Sequence, residues 1–431
     1  MRPLLKGEKV VIDRAHDLLG QGAALETLEQ AIARVPAPAC VAVYGPWGSG
    51  KTTLMHSAFA ARPQDTVWFD PWPYERTKDI VGPLLYAVAA GPARSEERKR
   101  KLLDLAEALV KFIALVGIRV GAVSLLGGDL DKLLGRIDVG KELKQLTKST
   151  GGGDPVALVR RRFKALVDEC LADSPQGRLV VFLDDLDRCL PDSVVELIEA
   201  VKLLMCGEPD TRAVFVFAVD RHIVGEAIRQ RYPGSTGFTG ENYLEKIFDL
   251  ALEVPPVEHG DLKQFVVNQM GSDLDRLTAP FGTSSSDGLL TALEVLGQPM
   301  FANPRVITRV LNRLDLLVAS DRRRDALAAV DDPVRLRRWL LWVAGAERYR
   351  GFRYYVRRAS DVELGALQRT LVGQAGELSH EGQLLADMPG FGRFVGELFR
   401  GVQIKAELTR SPAGTLATVA DFDHLLRSAG L

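Results

Sequence analysis

Eight consecutive residues, Gly45-Pro46-Trp47-Gly48-Ser49-Gly50-Lys51-Thr52, carry the sharpest chemical pattern in the chain. They match the spacing G-x-x-x-x-G-K-[ST] at every fixed position. The glycines let the backbone turn tightly enough for successive N–H groups to point at phosphate oxygens, and a helix behind them adds unsatisfied donors and a favourable dipole. Lys51 supplies a point charge for β- and γ-phosphates, and Thr52 a hydroxyl for Mg²⁺. Gly45 to Thr53 therefore form the candidate nucleotide cradle, and Trp47 within it is either a stacking surface for the nucleotide or a packing residue.

A second constellation follows an apolar run, Leu179-Val180-Val181-Phe182-Leu183, which ends in Asp184-Asp185-Leu186-Asp187-Arg188. Burying five apolar residues aims both carboxylates at the edge of a sheet. Asp184 is placed to hold Mg²⁺ through water, because this ion keeps much of its hydration shell. Asp185, one residue on, is placed to orient or deprotonate an attacking water. The bland alternative is that the pair caps a helix starting near Ser193. Asp187 and Arg188 either form a loop ion pair or reach a neighbouring subunit. A third apolar run ends in Asp220, which either senses the γ-phosphate or attacking water or caps the next helix.

Positioning these groups needs strands that end at one edge. Five short runs qualify: Ala39–Tyr44, Thr66–Phe69, Leu179–Leu183, Ala213–Ala218 and Leu250–Val254. Several are continuously apolar, as parallel strands covered on both faces are. With helical segments between them, residues 1–255 read as a doubly wound, mainly parallel five-stranded α/β sheet. Ser193-Val194-Val195-Glu196 is a capping-box pattern, and Asn303-Pro304-Arg305 places a cap before a first-turn proline. A helical lid is expected over 256–330 and a mostly helical segment rich in Arg and aromatics over 331–431.

The chain has 431 residues, 46% hydrophobic and 26% charged, with a net charge of −1. About 150 residues per domain predicts two or three domains. That composition excludes disordered, collagen-like and multi-span membrane classes, and the charge balance excludes a globally basic nucleic-acid coat. The cysteines Cys40, Cys170, Cys189 and Cys206 lack metal-ligand spacing, which with no signal-peptide core predicts a cytoplasmic protein. Thr52 and Asp184 are 132 positions apart, so a helical insertion is expected over about 75–155. Its most apolar stretch, Phe112 to Gly128, is 17 residues long with Arg119 inside. A spanning helix needs about 20 apolar residues, and a central Arg costs about 2.5–3.5 kcal/mol, so no multi-span insertion is expected. A buried helix pair, a segment that contacts a partner or membrane surface, and a short re-entrant segment remain open. From Arg322 to Arg358 there are 11 Arg against 4 acids, with Trp339, Trp342, Tyr349, Phe352, Tyr354 and Tyr355 interleaved. Such a segment either builds a core or meets nucleic acid, an anionic membrane or a protein partner.

The order of these motifs resembles the KAP P-loop NTPases, relatives of the STAND and AAA+ ATPases. The resemblance rests on the phosphate loop, Phe69-Asp70-Pro71-Trp72, Asp184-Asp185-Leu186-Asp187-Arg188-Cys189, Ala218-Val219-Asp220-Arg221 and Tyr243-Leu244-Glu245-Lys246-Ile247. Asp17-Leu18-Leu19-Gly20 and Asn303-Pro304-Arg305 extend it over about residues 10–320. It implies a strand inserted between the Lys51 and Asp184 strands, binding and hydrolysis of ATP or GTP with Mg²⁺, and nucleotide used as a conformational switch. It also implies that Leu19 lies near the base and that Arg305 is a lid sensor. Lys246, or an Arg from the Arg229–Arg231 segment, resembles a finger acting on a neighbouring copy, which implies a homo-oligomer. Bacterial members are linked to phage exclusion, and many carry transmembrane helices that this chain departs from, leaving peripheral contact at the inner membrane face.

Overall fold

The computed structural model describes residues 20–62, 65–77, 79–91, 95–116, 154–174, 177–232, 240–270, 285–298, 301, 303–319, 333–358, 361–371 and 377–398. These fall into two compact units, one from Gln21 to Pro255 and one that takes in Gly20 and the residues from Pro256 onward.

The first unit opens with helix α1 (Gly22–Arg34), strand β1 (Ala39–Tyr44), helix α2 (Lys51–Ala60) and strand β2 (Thr66–Phe69). Helices α3 (Val81–Ala90), α4 (Glu96–Val116) and α5 (Pro155–Cys170) precede β3 (Leu179–Leu183). Helix α6 (Pro191–Ala200), β4 (Ala213–Val219), α7 (Arg221–Arg231), α8 (Gly240–Ile247) and β5 (Leu250–Glu253) complete it. The strands make one parallel sheet in the order β2-β3-β4-β1-β5. β4 thus lies between the strand that feeds the phosphate loop and the strand that ends in Asp184.

Every residue of β1, β3 and β4 is buried, because the sheet is covered on both faces. Successive side chains of a strand point to opposite faces. Cys40, Ala42 and Tyr44 of β1 accordingly enter the larger core with α3 to α6, while Val41 and Val43 meet α1 and α2. α4 lays Leu102, Ala106, Leu109 and Phe112 into the larger core, and the Arg162 guanidinium of α5 lies 4.4 Å over the Phe112 ring. The apolar stretch expected from Phe112 to Gly128 continues α4 as far as Val116, and residues 117–128 lie outside the described residues. Among the described residues no helix is long and apolar enough to cross a membrane.

One expected helix boundary is corrected. α6 begins at Pro191, with extended Leu190 before it, so Ser193 sits in the first turn and does not cap. Proline's fixed φ and missing N–H suit the first helical position, and it outcompetes the capping box two residues later.

The second unit is helical: α9 (His259–Met270), α10 (Ser285–Leu296), α11 (Pro304–Ala319), α12 (Pro333–Arg348), α13 (Arg350–Arg358), α14 (Asp361–Leu371), α15 (His380–Ala386) and α16 (Phe391–Leu398). Asn303 Oδ1 accepts the N–H groups of Arg305 at 3.0 Å and Val306 at 3.3 Å, the capping that Asn-Pro-Arg predicts. Helices on both sides of residue 330 share one core, in which Leu262, Val295 and Ile307 pack with Trp342, Phe352 and Phe394. Of the six interleaved aromatics, Trp342, Tyr349, Phe352 and Tyr355 are buried in that core, and Tyr354 is exposed. Residues 322–332 and the Trp339 side chain lie outside the described residues.

Candidate functional site

The phosphate loop leaves β1 at its carboxyl end and enters α2. Gly48 and Gly50 have φ of +82° and +101°, a left-handed backbone that a side chain would strain, and Gly50 is the residue from which α2 starts. The loop is pinned from three sides. The Gly45 N–H donates to Val219 O at 3.2 Å, the Ser49 N–H to Pro46 O at 3.1 Å, and the Trp47 N–H to Asp220 Oδ2 at 3.1 Å. Lys51 is buried and folds back, its Nζ donating to Gly45 O at 2.7 Å and Pro46 O at 3.1 Å. Thr52 and Thr53 follow it in the first turn of α2, half-buried. The Ser49 Oγ is buried with no hydrogen-bond partner among the described residues. The Trp47 ring remains 37% exposed.

The carboxylates stand two strands away on the same edge. β4 pairs with both neighbours, Tyr44 opposite Val219 and Leu183 opposite Phe217, so β1 and β3 end at the same edge, with the tip of β1 two residues beyond that of β3. Asp184 is buried and its N–H donates to Phe69 O at 3.2 Å. Asp185 adopts φ 54° and ψ 27°, a left-handed conformation that costs a residue with a Cβ about 1–2 kcal/mol and that Asp tolerates better than most. Burial, then the neighbouring Asp184 charge, push its carboxyl up to about 6, with Arg188 opposing and Asp70 and Asp187 adding to the rise. The Arg188 guanidinium pairs with Asp185 Oδ2 at 3.0 Å and lies 5.5 Å over the Trp72 ring. Arg188 thus makes an ion pair within the loop, with Asp185 as its partner. Neither Asp184 nor Asp185 caps α6, whose cap residue is Leu190.

Two neighbours escaped the sequence reading as site components. Asp70 follows β2, whose last residue Phe69 pairs with Leu183, so Asp70 and Asp184 leave adjacent strand tips. Burial raises the Asp70 carboxyl and the Asp184 charge adds to that, while the Trp72 N–H on its Oδ1 at 3.1 Å lowers it. The signal was present in an apolar run ending in Phe-Asp. Gln21 gave no such signal: it is buried beside the loop and its Nε2 donates to Ser49 O at 3.1 Å.

The remaining candidates are placed as follows. Asp220 caps α7, its Oδ1 accepting the His222 N–H at 3.1 Å and the Ile223 N–H at 3.4 Å, while its other oxygen holds Trp47. Lys246 is exposed in the last turn of α8. Arg229 pairs with Glu226 at 2.8 Å and Arg231 with Asp192 at 2.9 Å, both within the chain. Arg305 stands in the first turn of α11, in the helical unit. Leu19 lies outside the described residues.

Comparison with known proteins agrees with this geometry. The KAP family P-loop domain matches residues 23–320. Kinase D-interacting substrate of 220 kDa from Rattus norvegicus is 26% identical over 145 residues, which is 33% of this chain and 7% of that protein. The Homo sapiens protein of the same description is 30% identical over 95 residues, 21% of this chain and 5% of its own length. The chain therefore spans only a small part of the relatives it matches. A parallel sheet with β4 between the loop strand and the acid strand, a lysine-bearing glycine loop and a match over residues 23–320 agree: the chain belongs to the KAP family of P-loop NTPases.

Proposed function

We propose that this chain binds a nucleoside triphosphate, ATP or GTP, with Mg²⁺ and hydrolyses it, and that hydrolysis acts as a conformational switch. The observation that carries this reading is the shared edge: the Lys51 loop and buried Asp184 follow parallel strands that β4 joins and that end within two residues of one another. The residues present fit the ligand. Main-chain N–H groups around Gly48 and Gly50, the unpartnered Ser49 Oγ and the Lys51 ammonium form an anion cradle. Thr52 and Asp184 would hold Mg²⁺, which when bound neutralises charge on the β- and γ-phosphates. Lys51 exchanges its two loop carbonyls for phosphate oxygens, and Asp185, released from Arg188, orients or deprotonates the attacking water. Asp220, through the Trp47 N–H, couples the loop to the start of α7. In this reading residues 256–330 respond as a lid, with Arg305 as its sensor.

A second reading has the nucleotide bound but barely turned over, as in a signalling scaffold. It is favoured by the Arg188–Asp185 pair, which occupies the carboxylate that hydrolysis needs. Further proposals concern partners: Lys246, Arg229 or Arg231 reaching a second copy, and the Arg322–Arg358 segment engaging a protein, nucleic acid or the inner face of a membrane.

Phosphate release from ATP and GTP, with and without Mg²⁺, is measured beside equilibrium binding of labelled nucleotide. Mg²⁺-dependent release that Lys51→Ala abolishes supports the hydrolase. Tight binding without release supports the scaffold, and absence of binding overturns both. A role in phage exclusion predicts that Lys51→Ala and Asp184→Ala each raise plaque counts on protected cells to the unprotected level.

A further inference from the structure

About 16 Å down β1 from the phosphate loop, at a strand rise of roughly 3.3 Å per residue, lies a feature that nucleotide chemistry does not use. The sulfurs of Cys40 and Cys206 approach to 3.5 Å. Cys40 points from β1 into the larger core and is fully buried, whereas Cys206 is partly exposed. Their meeting depends on a break in helical register. Beyond α6 the chain runs as a π turn over Val201–Met205, closed by the Cys206 N–H on Val201 O at 2.9 Å, and Cys206 is its cap residue. Such turns are rare and cluster at functional positions.

Cations and a carboxylate frame the same corner. Asp249 accepts the Cys40 N–H at 2.8 Å through one oxygen and holds the Lys202 ammonium at 2.7 Å through the other. The Arg160 guanidinium fills the space that a Cβ on Gly207, the residue after Cys206, would need. The other two cysteines are situated differently. Cys170 and Cys189 place their sulfurs on backbone carbonyls, Val88 O at 3.7 Å and Asp185 O at 3.8 Å. Burial pushes both thiols up to about 12, which makes them poor nucleophiles.

We propose that Cys40 and Cys206 form an oxidant-sensitive dithiol site that closes to an intramolecular disulfide when a hydroperoxide reaches Cys206. The Cys206 thiolate attacks one peroxide oxygen, the O–O bond breaks, and the departing hydroxide takes up the thiol proton as water. Cys206 is left as a sulfenic acid. The Cys40 sulfur then attacks the Cys206 sulfur, the S–O bond breaks, and the hydroxide leaves with the Cys40 proton as a second water. Two thiols lose two electrons and one hydrogen peroxide becomes two waters. Cys206 acts first because it is the accessible sulfur. The hydrogen bond shared with Cys206, then burial, raise the Cys40 thiol, so Cys40 does not attack first and enters the second step through its 3.5 Å proximity to the Cys206 sulfur. Closure requires the sulfurs to move from 3.5 Å to the roughly 2.05 Å of a disulfide, and the end of the π turn is the partner able to move. The bridge ties β1, which ends in the phosphate loop, to the segment that follows Asp184 and α6.

This inference is independent of turnover and is tested on the full chain by mass spectrometry. The protein is treated with hydrogen peroxide, quenched, denatured and alkylated with N-ethylmaleimide. The reduced chain has four alkylatable thiols, and oxidation is expected to leave two, with one peptide pair joining Cys40 to Cys206. Dithiothreitol restores all four. In Cys206→Ser the pair is absent and Cys40 stays alkylatable, with thermal melting confirming the fold; the wild-type map stands if that variant fails to fold. The inference is overturned if the oxidised chain keeps four thiols, if Cys206 ends as sulfinic acid without a bridge, or if the bridges found involve Cys170, Cys189 or a second chain.

Discussion

The carboxyl edge of the sheet and helices α12–α13 are both dense in charge and aromatic residues, yet the fold uses them oppositely. At the edge, Asp70, Asp184 and Asp185 converge within a cluster where burial first, and then the neighbouring Asp184 charge, raises two of the carboxyls. Polar groups crowded against their own electrostatics call for a cationic ligand to offset them. In α12–α13 the aromatics pack on one another, Trp342 on Phe352 at 5.5 Å and Phe352 on Phe391 at 5.4 Å. The buried Glu347 there is answered by Arg309 at 3.2 Å and Arg313 at 2.8 Å. Carboxyls that stay raised despite the ion pair of Arg188 with Asp185 mark a place for a ligand, whereas a charge fully answered by its partners marks structure.

The sharpest way to break this contrast is Asp185→Asn. It is expected to lower kcat by about 10²–10⁴ while leaving nucleotide affinity within about threefold, read by phosphate release beside binding. Equal losses in both would make Asp185 structural. Trp342→Ala should instead cost about 3–5 kcal/mol of stability, and Tyr354→Ala, on the exposed side of the next helix, within about 0.5 kcal/mol. Denaturant unfolding monitored on the helical unit distinguishes them; similar losses would mean that Tyr354 is covered as its neighbours are. Asn303→Ala removes two capping bonds and should cost about 1 kcal/mol in the same assay, an effect that Asn303→Ser largely restores.

The smallest effect is a pH dependence. Asp185 has a folded value of about 6, above the ordinary carboxylate range, so the fold gains from its protonation. That contribution is complete below the unfolded value near 4 and is lost as pH rises through about 6. Asp185→Asn should therefore melt increasingly above wild type as pH goes from 5 to 7, by a modest margin because the group is partly exposed to solvent. A constant difference from pH 4 to 8 would place the carboxyl at an ordinary value.

The strand framework of the candidate site was legible in the sequence. Three of the five strands, β1, β3 and β4, announced themselves because both-face burial demands runs such as Ala213–Val219, which carry no polar residue to confuse the period. The phosphate loop was legible because positive φ at Gly48 and Gly50 can be met by few residues other than glycine. Asp220 was left open between a helix cap and a sensor of the γ-phosphate or attacking water; it caps α7, and its second oxygen takes the Trp47 N–H, a contact that only folding brings within reach. The Arg-aromatic segment left core and interface open because composition is indifferent to which face of a helix a ring occupies.

Local chemistry along the chain thus determined the family fold, the strand tips and the residue types gathered at them, since steric and hydrophobic demands act on neighbours in sequence. What tertiary structure alone decided were encounters between distant residues: Gln21 with Ser49, Asp70 with Asp184, Cys40 with Cys206. Those depend on strand register and on how a π turn ends, quantities set by the packing of the whole sheet and its helices.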